Sequence, residues 1–431
     1  MSDIFHYRDG VLFAEEVSLA AIAETVGTPA YVYAAKGMCD QLTALQDAFA
    51  GQRMTICYAI KANSNIAVVK TLANQGAGAE IVSGGELQKA LAAGVPGTMI
   101  MFAGVAKSRD EMAMALNAGI AQFNVESVPE LIALSEVAAA NKTKAPVAIR
   151  INPDVAADTH EKISTGRRQD KFGIAYDQAG EVYAMASSLA GIEPIGVHLH
   201  IGSQIMSLAP FEAAYQRGAD LVRELRAQGI PIKRLDLGGG MGVRYRGDVR
   251  LDIAAYADLV QTITADLDVE LLLEPGRYLV AEAGTMLAKV RYMKQGDERP
   301  FAILDAGMND LIRPALYDAY HEILPVKEAA PNAELQATDV VGPICESSDI
   351  FARGRALPPL EPEDLVAFLG AGAYGAVMAS DYNARPLAAE VLVDGDRFSV
   401  IRPRIEPALR FADERIPEWL ETPPVECGRA C

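Results

Sequence analysis

The sequence predicts an α/β protein, in which a (β/α)8 barrel of the TIM type is joined to a second, mainly antiparallel β domain. Three observations support this fold class. Eight short apolar segments alternate with seven amphipathic segments between residues 56 and 274, which is the pattern of a parallel barrel. The connecting segments are long enough for parallel crossovers. Beyond about residue 285 the helical segments stop and short strand candidates follow one another, which indicates a separate β domain.

The barrel elements are placed individually from their apolar runs and turn residues. The predicted strands are residues 56–60, 79–82, 99–103, 121–125, 147–151, 194–200, 234–237 and 270–274. The predicted helices between them are residues 65–75, 84–93, 108–118, 127–140, 177–190, 210–228 and 252–267. Gly76, Gly94 and Gly119 each follow a predicted helix and are interpreted as C-terminal caps. A doubly wound open sheet is the alternative fold, and the count of eight strands favours the barrel.

The chain is predicted to divide into three parts. Residues 1–34 form an N-terminal segment whose strand at 31–33 contributes to the β domain, residues 35–285 form the barrel, and residues 286–431 form the β domain. The strand candidates of that domain are residues 285–293, 301–304, 338–341, 365–369, 389–393 and 397–401. Asp394-Gly395 separates the last two and is a hairpin signal.

The composition is that of an ordinary soluble globular protein. Half of the 431 residues are hydrophobic, and the formal net charge is −18. An acidic chain without a block of Lys or Arg argues against nucleic acid or an anionic membrane surface as a partner. No signal peptide is visible, and the longest uncharged apolar run, near residues 366–380, is too short to span a bilayer. We therefore expect a cytoplasmic protein.

The five cysteines are scattered and odd in number. This spacing favours neither a disulfide framework nor a zinc site. The tail from Cys427 to Cys431 does not fit the prenylation pattern, and we interpret it as a frayed terminus.

Lys61 directly follows the first predicted barrel strand. In such barrels the catalytic groups lie where strands end at the C-terminal face. Lysine is rarely buried without a partner, and lysine amines act as nucleophiles that form Schiff bases. On this stretch alone, the alternative is a lysine that extends its amine from the barrel rim into solvent.

A glycine run after the seventh predicted strand indicates an anion site. Gly238-Gly239-Gly240 lets the backbone approach an anion closely with its N–H groups. Barrels often bind phosphate after strands seven and eight, where Gly276 extends the cradle and Ser203 offers a hydroxyl. A tight βα turn is the alternative, and the position after strand seven favours the anion site.

Glu274 ends the eighth predicted strand and needs a partner that is charged or donates a proton. A protonated ring nitrogen is one such partner, and a simple ion pair with Arg277 is the alternative. His200, after the sixth strand, can stack on a planar ring or orient a cofactor. His198 points the same way as His200 on a strand, but a metal site needs further ligands at other strand ends, and no metal is predicted.

These features together meet the requirements of pyridoxal 5'-phosphate. They supply a lysine amine, a phosphate cradle, a carboxylate for the ring nitrogen and a histidine for the ring face. The cofactor is an electron sink, and the protein holds and tunes it. The barrel is therefore predicted to bind this cofactor.

Ten motifs carry a resemblance to a known family. They are Tyr58-Ala-Ile-Lys-Ala-Asn63, Val82-Ser-Gly-Gly-Glu-Leu87, Thr159-His-Glu-Lys-Ile-Ser-Thr-Gly166, Asp170-Lys-Phe-Gly173, His200-Ile-Gly-Ser-Gln204, Leu237-Gly-Gly-Gly-Met-Gly242, Glu274-Pro-Gly-Arg277, Asn309-Asp-Leu-Ile-Arg-Pro-Ala-Leu-Tyr317, Gly342-Pro-Ile-Cys-Glu-Ser-Ser348 and Gly372-Ala-Tyr-Gly375. In this order and spacing they resemble the diaminopimelate decarboxylase family, whose members are barrel-type pyridoxal-phosphate decarboxylases with the alanine-racemase-like fold. The likeness runs from about residue 5 to about residue 405.

The resemblance implies decarboxylation of meso-2,6-diaminopimelate to L-lysine and carbon dioxide, the last step of lysine biosynthesis. It also implies that Lys61 holds the cofactor and that Cys345, supplied by the neighbouring subunit of a homodimer with shared active sites, protonates the carbanion. The further implied cofactor-binding positions are His200, Ser203, Gly239, Gly240, Glu274, Pro275, Gly276, Arg277 and Tyr374. The implied substrate-binding positions are Arg277, Arg313, Tyr317, Glu346 and Tyr374. Family members often have Asp where this chain has Glu80, which puts one contact near the cofactor in doubt.

Two alternatives keep this fold and cofactor. Ornithine, arginine or carboxynorspermidine as substrate would lack the distal amino-acid carboxylate, whereas Arg313 with the motif around Cys345 favours a substrate that has one. A non-catalytic protein that binds pyridoxal phosphate would not need Lys61, Cys345 and Glu346 together. From the residues alone, Cys345 also suits a small buried hydrophobe, and Arg313 with Tyr317 suits ordinary packing on a helical face.

Overall fold

The computed structural model describes residues 4–155, 171–247 and 250–421. Three features named above lie outside these ranges: the motif from Thr159 to Gly166, Asp170, and the tail from Cys427 to Cys431. No helix within the described ranges has both the length and the hydropathy needed to cross a lipid bilayer.

The described chain starts with a small antiparallel sheet of three strands, β1 (Phe5–Arg8), β2 (Val11–Ala14) and β3 (Val17–Ser18). Helix α1 (Leu19–Val26) follows, and its first turn is capped by the Ser18 hydroxyl, which accepts the Ala21 N–H. Gly27, at φ +78°, ends the helix. Strand β4 (Ala30–Ala34) is fully buried and leads into the barrel.

A closed barrel of eight parallel strands occupies the middle of the chain. This part of the chain contains the eight barrel strands and one additional short strand, β10. They are β5 (Met54–Ala59), β6 (Gly78–Ile81), β7 (Ile100–Phe102), β8 (Gln122–Val125), β9 (Ala145–Asn152), β10 (Ile174–Ala175), β11 (Ile192–Leu199), β12 (Arg234–Asp236) and β13 (Glu270–Leu273). Each barrel strand pairs with the next barrel strand, so that β9 pairs with β11, and β13 pairs with β5 to close the ring. The short strand β10 pairs with β9 beside the ring.

Helices connect these strands. They are α2 (Ala35–Ala48), α3 (Ile66–Asn74), α4 (Gly84–Ala92), α5 (Arg109–Asn117), α6 (Val128–Ala140), α7 (Ala179–Ser188), α8 (Ala209–Ala227), α9 (Ile253–Thr264) and α10 (Arg277–Val280). The predicted capping glycines are confirmed, because Gly76, Gly94 and Gly119 all have φ between +65° and +88°, a conformation that costs glycine little.

The second domain is built on a mainly antiparallel sheet. Its strands are β14 (Gly284–Lys294), β15 (Phe301–Leu304), β16 (Ile323–Pro325), β17 (Gln336–Val341), β18 (Ile350–Leu357), β19 (Leu365–Leu369), β20 (Ala389–Asp394) and β21 (Arg397–Arg402), and its helices are α11 (Arg313–Tyr317), α12 (Pro407–Arg410) and α13 (Glu418–Glu421). β14 pairs antiparallel with β15, β19 and β4, whereas β4 pairs with β20 in parallel, Ala30 opposite Ala389. β4 therefore ties the N-terminal segment into this sheet.

The fold class predicted from the sequence is confirmed, including the membership of residues 31–33 in the second sheet. The sequence prediction missed strands β1–β3, β10, β16 and β18. Only Phe351 and Leu357 of β18 are buried, and the strand carries two arginines and a glycine, so its apolar signal is weak. Its strand conformation comes from antiparallel pairing with β17, a long-range contact that overrides local preference.

Candidate active site

Lys61 lies in a single 3-10 turn (Ile60–Ala62) that directly follows β5. Its Nζ lies 3.0 Å from Oε1 and 2.9 Å from Oε2 of Glu80, at the end of β6. Burial lowers the pKa of the amine, but the Glu80 carboxylate, with smaller effects of Tyr374 and Glu274, outweighs burial and holds the pKa above its ordinary value. The side chain is 36% exposed while that of Glu80 is fully buried. The amine therefore faces the mouth as an ammonium group that is paired with the buried Glu80 carboxylate.

The turn after β12 approaches its neighbours so closely that it has no room for side chains. Gly240 has φ +105°, and a Cβ on it would lie 2.6 Å from the carbonyl oxygen of Gly202. A Cβ on Gly239 would lie 2.2 Å from the carbonyl oxygen of Glu274. The glycine run thus forms a tight turn whose backbone lies in close contact with the backbone of Gly202 and Glu274.

The turn after β13 is fixed beside the lysine in the same way. The Pro275 carbonyl accepts the N–H of Ala59 at 3.1 Å. Gly276 packs against Ala59 and Ala62, each of which would be 3.2 Å from a Cβ at this position. The two glycine turns and Lys61 therefore line one opening.

Hydrogen-bond donors converge between these turns. Nε and Nη2 of Arg277 lie 3.3 and 3.1 Å from the Ser203 hydroxyl. Among the described residues, no protein acceptor takes the backbone N–H of Gly240 or Gly276. Backbone N–H groups and a guanidinium directed at one place form an anion site. This donor set fits the chemistry of a phosphate group, and the phosphate site stays a prediction.

His200 is half-buried beside this candidate anion site and has a defined tautomer. The Gly239 N–H donates to its Nδ1 at 3.2 Å, so the ring hydrogen is on Nε2. Burial, with smaller effects of Arg150 and Lys61, lowers the pKa of His200 well below its ordinary value. The ring is therefore neutral, which suits packing against the face of a planar cofactor.

Glu274 is buried in the barrel interior. Its Oε1 accepts from Asn124 Nδ2 at 2.9 Å, and its Oε2 lies 3.2 Å from His198 Nε2. Burial raises the pKa of both Glu274 and the neighbouring Asp236. Repulsion by Glu80 raises the pKa of Glu274 further, and repulsion by Glu274 raises that of Asp236, so the pair retains a proton near neutral pH. The alternative of a Glu274–Arg277 ion pair is wrong, because Arg277 turns instead to the opening.

Arg277 and Arg313 lie close together, and both are buried. Tyr317 is near enough to raise the pKa of Arg277. The ring of Tyr374 lies 4.9 Å from the Arg277 guanidinium carbon, and its N–H donates to the Ala62 carbonyl at 2.7 Å. Tyr374 has φ +54°, which strains a bulky residue and is typical of functional positions.

Cys345 and Glu346 lie elsewhere on the same chain. Both are exposed, so the alternative of a buried hydrophobe for Cys345 is wrong. The Cys345 N–H donates to Asn383 Oδ1 at 3.2 Å, and Glu346 accepts from the Ser348 hydroxyl at 3.0 Å. Within the described part of the chain, no contact joins either residue to Lys61 or to the two arginines.

Sequence reasoning missed several members of the site. Asn124 faces the barrel interior from β8, Asp236 ends β12 beside His198, and Tyr245 and His321 contact the arginines. Among the described residues, one ligand atom each of His198, Asp236 and Glu274 lies within 4.8 Å of the others, a grouping of carboxylates around His198 that the sequence analysis did not identify. The position of Asp236 at a strand end was an available signal.

Comparison with known proteins identifies the family. Residues 36–281 match the family model described as the pyridoxal-binding domain of pyridoxal-dependent decarboxylases. The diaminopimelate decarboxylase of Pseudomonas aeruginosa is 50% identical over 93% of this chain and 96% of its own length. That of Pseudomonas fluorescens is 48% identical over 96% of this chain and 99% of its own length.

Solved structures agree with these sequence relatives. The diaminopimelate decarboxylase of M. jannaschii in complex with L-lysine has a TM-score of 0.92 at 38% identity, covering 97% of this chain and 99% of that one. The enzyme of Helicobacter pylori with L-lysine has a TM-score of 0.88 at 41% identity, covering 91% and 98%. The chain is thus a pyridoxal-dependent decarboxylase, and within that class it belongs to the diaminopimelate decarboxylase family.

Proposed function

We propose that this chain is a carboxy-lyase that converts meso-2,6-diaminopimelate to L-lysine and carbon dioxide. The observation that carries the proposal is the pair of buried guanidiniums, Arg277 and Arg313, beside the opening that holds Lys61. A substrate with a second amino-acid end brings a carboxylate to this pair, and planar guanidiniums bind carboxylates bidentately. Ornithine and arginine would leave the pair without that partner.

The cofactor end of the site uses the barrel turns. Lys61 would hold pyridoxal phosphate, and in the cofactor-free chain its amine is paired with the Glu80 carboxylate. Ser203 and the backbone N–H groups of Gly240 and Gly276 would hold the phosphate group, while Gly239 and Pro275 shape the two turns that carry these donors. His200 would pack on the ring, and Glu274 would face its nitrogen. When bound, the cofactor supplies the electron sink that makes loss of carbon dioxide possible.

The substrate end uses the second domain. Arg277 and Arg313 bind the distal carboxylate, and Tyr317 and Tyr374 flank it, Tyr374 also reaching the cofactor. Glu346 suits the distal ammonium group, since a carboxylate pairs with an amine. These assignments follow from the proximity of the first four residues and from the charge of the fifth.

Cys345 delivers the proton that replaces the carboxyl group, because a thiol is a suitable general acid. Its exposed position, apart from Lys61 on the same chain, supports a homodimer in which the partner subunit supplies Cys345 and Glu346 to each site. The proposal includes a cytoplasmic location for this biosynthetic enzyme. The net charge of −18 supports the absence of a nucleic-acid partner.

The domain division of 1–34, 35–285 and 286–431 is part of the same proposal. The family match over residues 36–281 supports the barrel boundaries, and the pairing of β4 with β14 and β20 supports assigning the N-terminal segment to the second domain.

The decisive experiment measures carbon dioxide and L-lysine release by the purified protein loaded with pyridoxal phosphate. Diaminopimelate is compared with ornithine and arginine under identical conditions. We expect turnover with diaminopimelate alone. Release from ornithine or arginine at comparable kcat/KM, or no release from diaminopimelate, would overturn the proposal.

A further inference from the structure

The two guanidiniums of the substrate end are surrounded by neutral groups. Among the described residues, no carboxylate forms an ion pair with Arg277 or Arg313. A buried charge without an opposite charge is costly, and two adjacent cations repel each other. Something must therefore hold the pair in place without neutralising it, so that its charge remains for an anion.

Tyr245 contacts both arginines. Its hydroxyl accepts from Arg277 Nη1 at 2.8 Å, and its ring lies 4.6 Å from the guanidinium carbon of Arg313. The ring face attracts a cation without carrying a charge. Tyr245 thus fixes the orientation of both side chains from the loop that follows the glycine turn.

His321 forms a second contact with Arg313. Asp318, at φ +53°, ends α11 and turns the chain back, which brings His321 Nε2 to 3.0 Å from Arg313 Nη1. Nδ1 of His321 lies 2.9 Å from the Leu369 carbonyl, so Nδ1 carries the hydrogen and Nε2 accepts from the arginine. The rings of His321 and Tyr245 meet edge to face, with centroids 5.6 Å apart.

We propose that Tyr245 and His321 are positioning residues that aim Arg277 and Arg313 at the distal carboxylate and so set the preference for ligands that have one. This inference rests on the proposed function for the identity of the substrate. It adds two residues that act through the arginines and touch neither the cofactor nor the reacting bond.

The test is calorimetric binding to the holoenzyme of L-lysine, which keeps the distal carboxylate, and of cadaverine, which has none. Wild type should prefer L-lysine. Tyr245→Phe and His321→Leu each remove one acceptor from a guanidinium and should weaken L-lysine binding about 10-fold, with cadaverine binding and cofactor absorbance unchanged. His321→Gln keeps an acceptor for Arg313 and a donor for Leu369, and should bind L-lysine within about 3-fold of wild type.

Equal losses for both ligands, or no loss for L-lysine, would overturn the inference, and so would a wild type that does not distinguish them. If His321→Leu does not fold, Tyr245→Phe decides the outcome by the same comparison. A wild type that prefers L-lysine yet releases no carbon dioxide from diaminopimelate would contradict the proposed function and leave this inference standing.

Discussion

Lys61 and Glu80 form an ion pair of which one side is fully buried. Removing one partner of such a pair leaves an uncompensated charge, so the pair matters beyond its role toward the cofactor. Glu80, at the position for which the family resemblance implies a more common Asp, reaches the lysine amine directly. A glutamate at this position therefore affects how strongly the Lys61 amine holds its proton. It does not remove the lysine.

Replacing Lys61 by Ala should abolish both turnover and the visible absorbance of covalently held cofactor, because the amine is the attachment point. Absorbance spectroscopy after gel filtration checks this expectation. Lys70→Ala, an exposed lysine of α3, is the matched control and should resemble wild type. Retained absorbance in Lys61→Ala would remove this residue from its proposed role.

Cys345→Ala should keep the cofactor absorbance but lower kcat about 10²-fold or more, the scale of a lost general acid. Steady-state carbon dioxide release measures the effect. Cys39→Ala, on α2, serves as the control for loss of a thiol. An unchanged kcat in Cys345→Ala would exclude the thiol as the proton donor.

His321 gives a pH signature of stability. Burial and the nearby Arg313 lower its pKa in the folded protein to about 3, whereas an unfolded histidine titrates near 6.5. The unfolded state therefore takes up a proton first as pH falls, and the folded state loses stability. Relative to His321→Gln, wild type should lose about 2 kcal/mol of unfolding free energy between pH 7 and pH 5.

Urea unfolding of both proteins at the two pH values tests this difference. The carboxyl groups of Asp236 and Asp310, whose pKa burial raises, act in the opposite direction but are common to both proteins and cancel in the comparison. The same loss in both would show that His321 is already charged in the folded state.

At the scale of elements, the glycine turn after β12 combines a positive φ with steric closeness, and the two effects can be separated. Gly240→Ala places a Cβ against the Gly202 carbonyl and should raise the Kd of pyridoxal phosphate about 10-fold or more by moving the turn. Gly229→Ala is the control, since it also has positive φ but no atom within 4 Å of a Cβ. It should cost about 1 kcal/mol of stability and leave cofactor affinity unchanged. Equal affinity of the two variants for pyridoxal phosphate would contradict a role of the glycine turn in holding the phosphate group.

The elements that the sequence predicted share a local signal. The eight barrel strands are apolar runs bounded by turn residues, and α8 shows its buried stripe directly, from Phe211 to Leu225. The glycine turns and Lys61 follow from strand ends, because a parallel barrel gathers those ends at one face. Tyr245 and His321 could not be predicted in this way, since their contacts depend on how the second domain packs over the opening.

For the whole molecule, the shared-site proposal predicts complementation. Lys61→Ala subunits alone should be inactive and Cys345→Ala subunits alone should retain about 1% of activity or less, but a mixed dimer would contain one intact site. After subunit exchange in equal amounts, activity should reach about a quarter of wild type, since half of the dimers are mixed and each has one of two sites. Exchange monitored by a fluorescent label, with no activity above that of the parents, would contradict sites shared between subunits.

The position of β4 between β14 and β20 has a consequence for biosynthesis on the ribosome. Ala30 emerges long before Ala389, its neighbour in the sheet, and at about 5–20 residues per second this delay is on the order of 20–70 seconds. Meanwhile the nascent barrel can close, but one edge of the buried strand Ala30-Tyr-Val-Tyr-Ala34 stays without its neighbour. During that interval the unpaired strand edge of the nascent chain is open to pairing with other chains, which a chaperone would prevent.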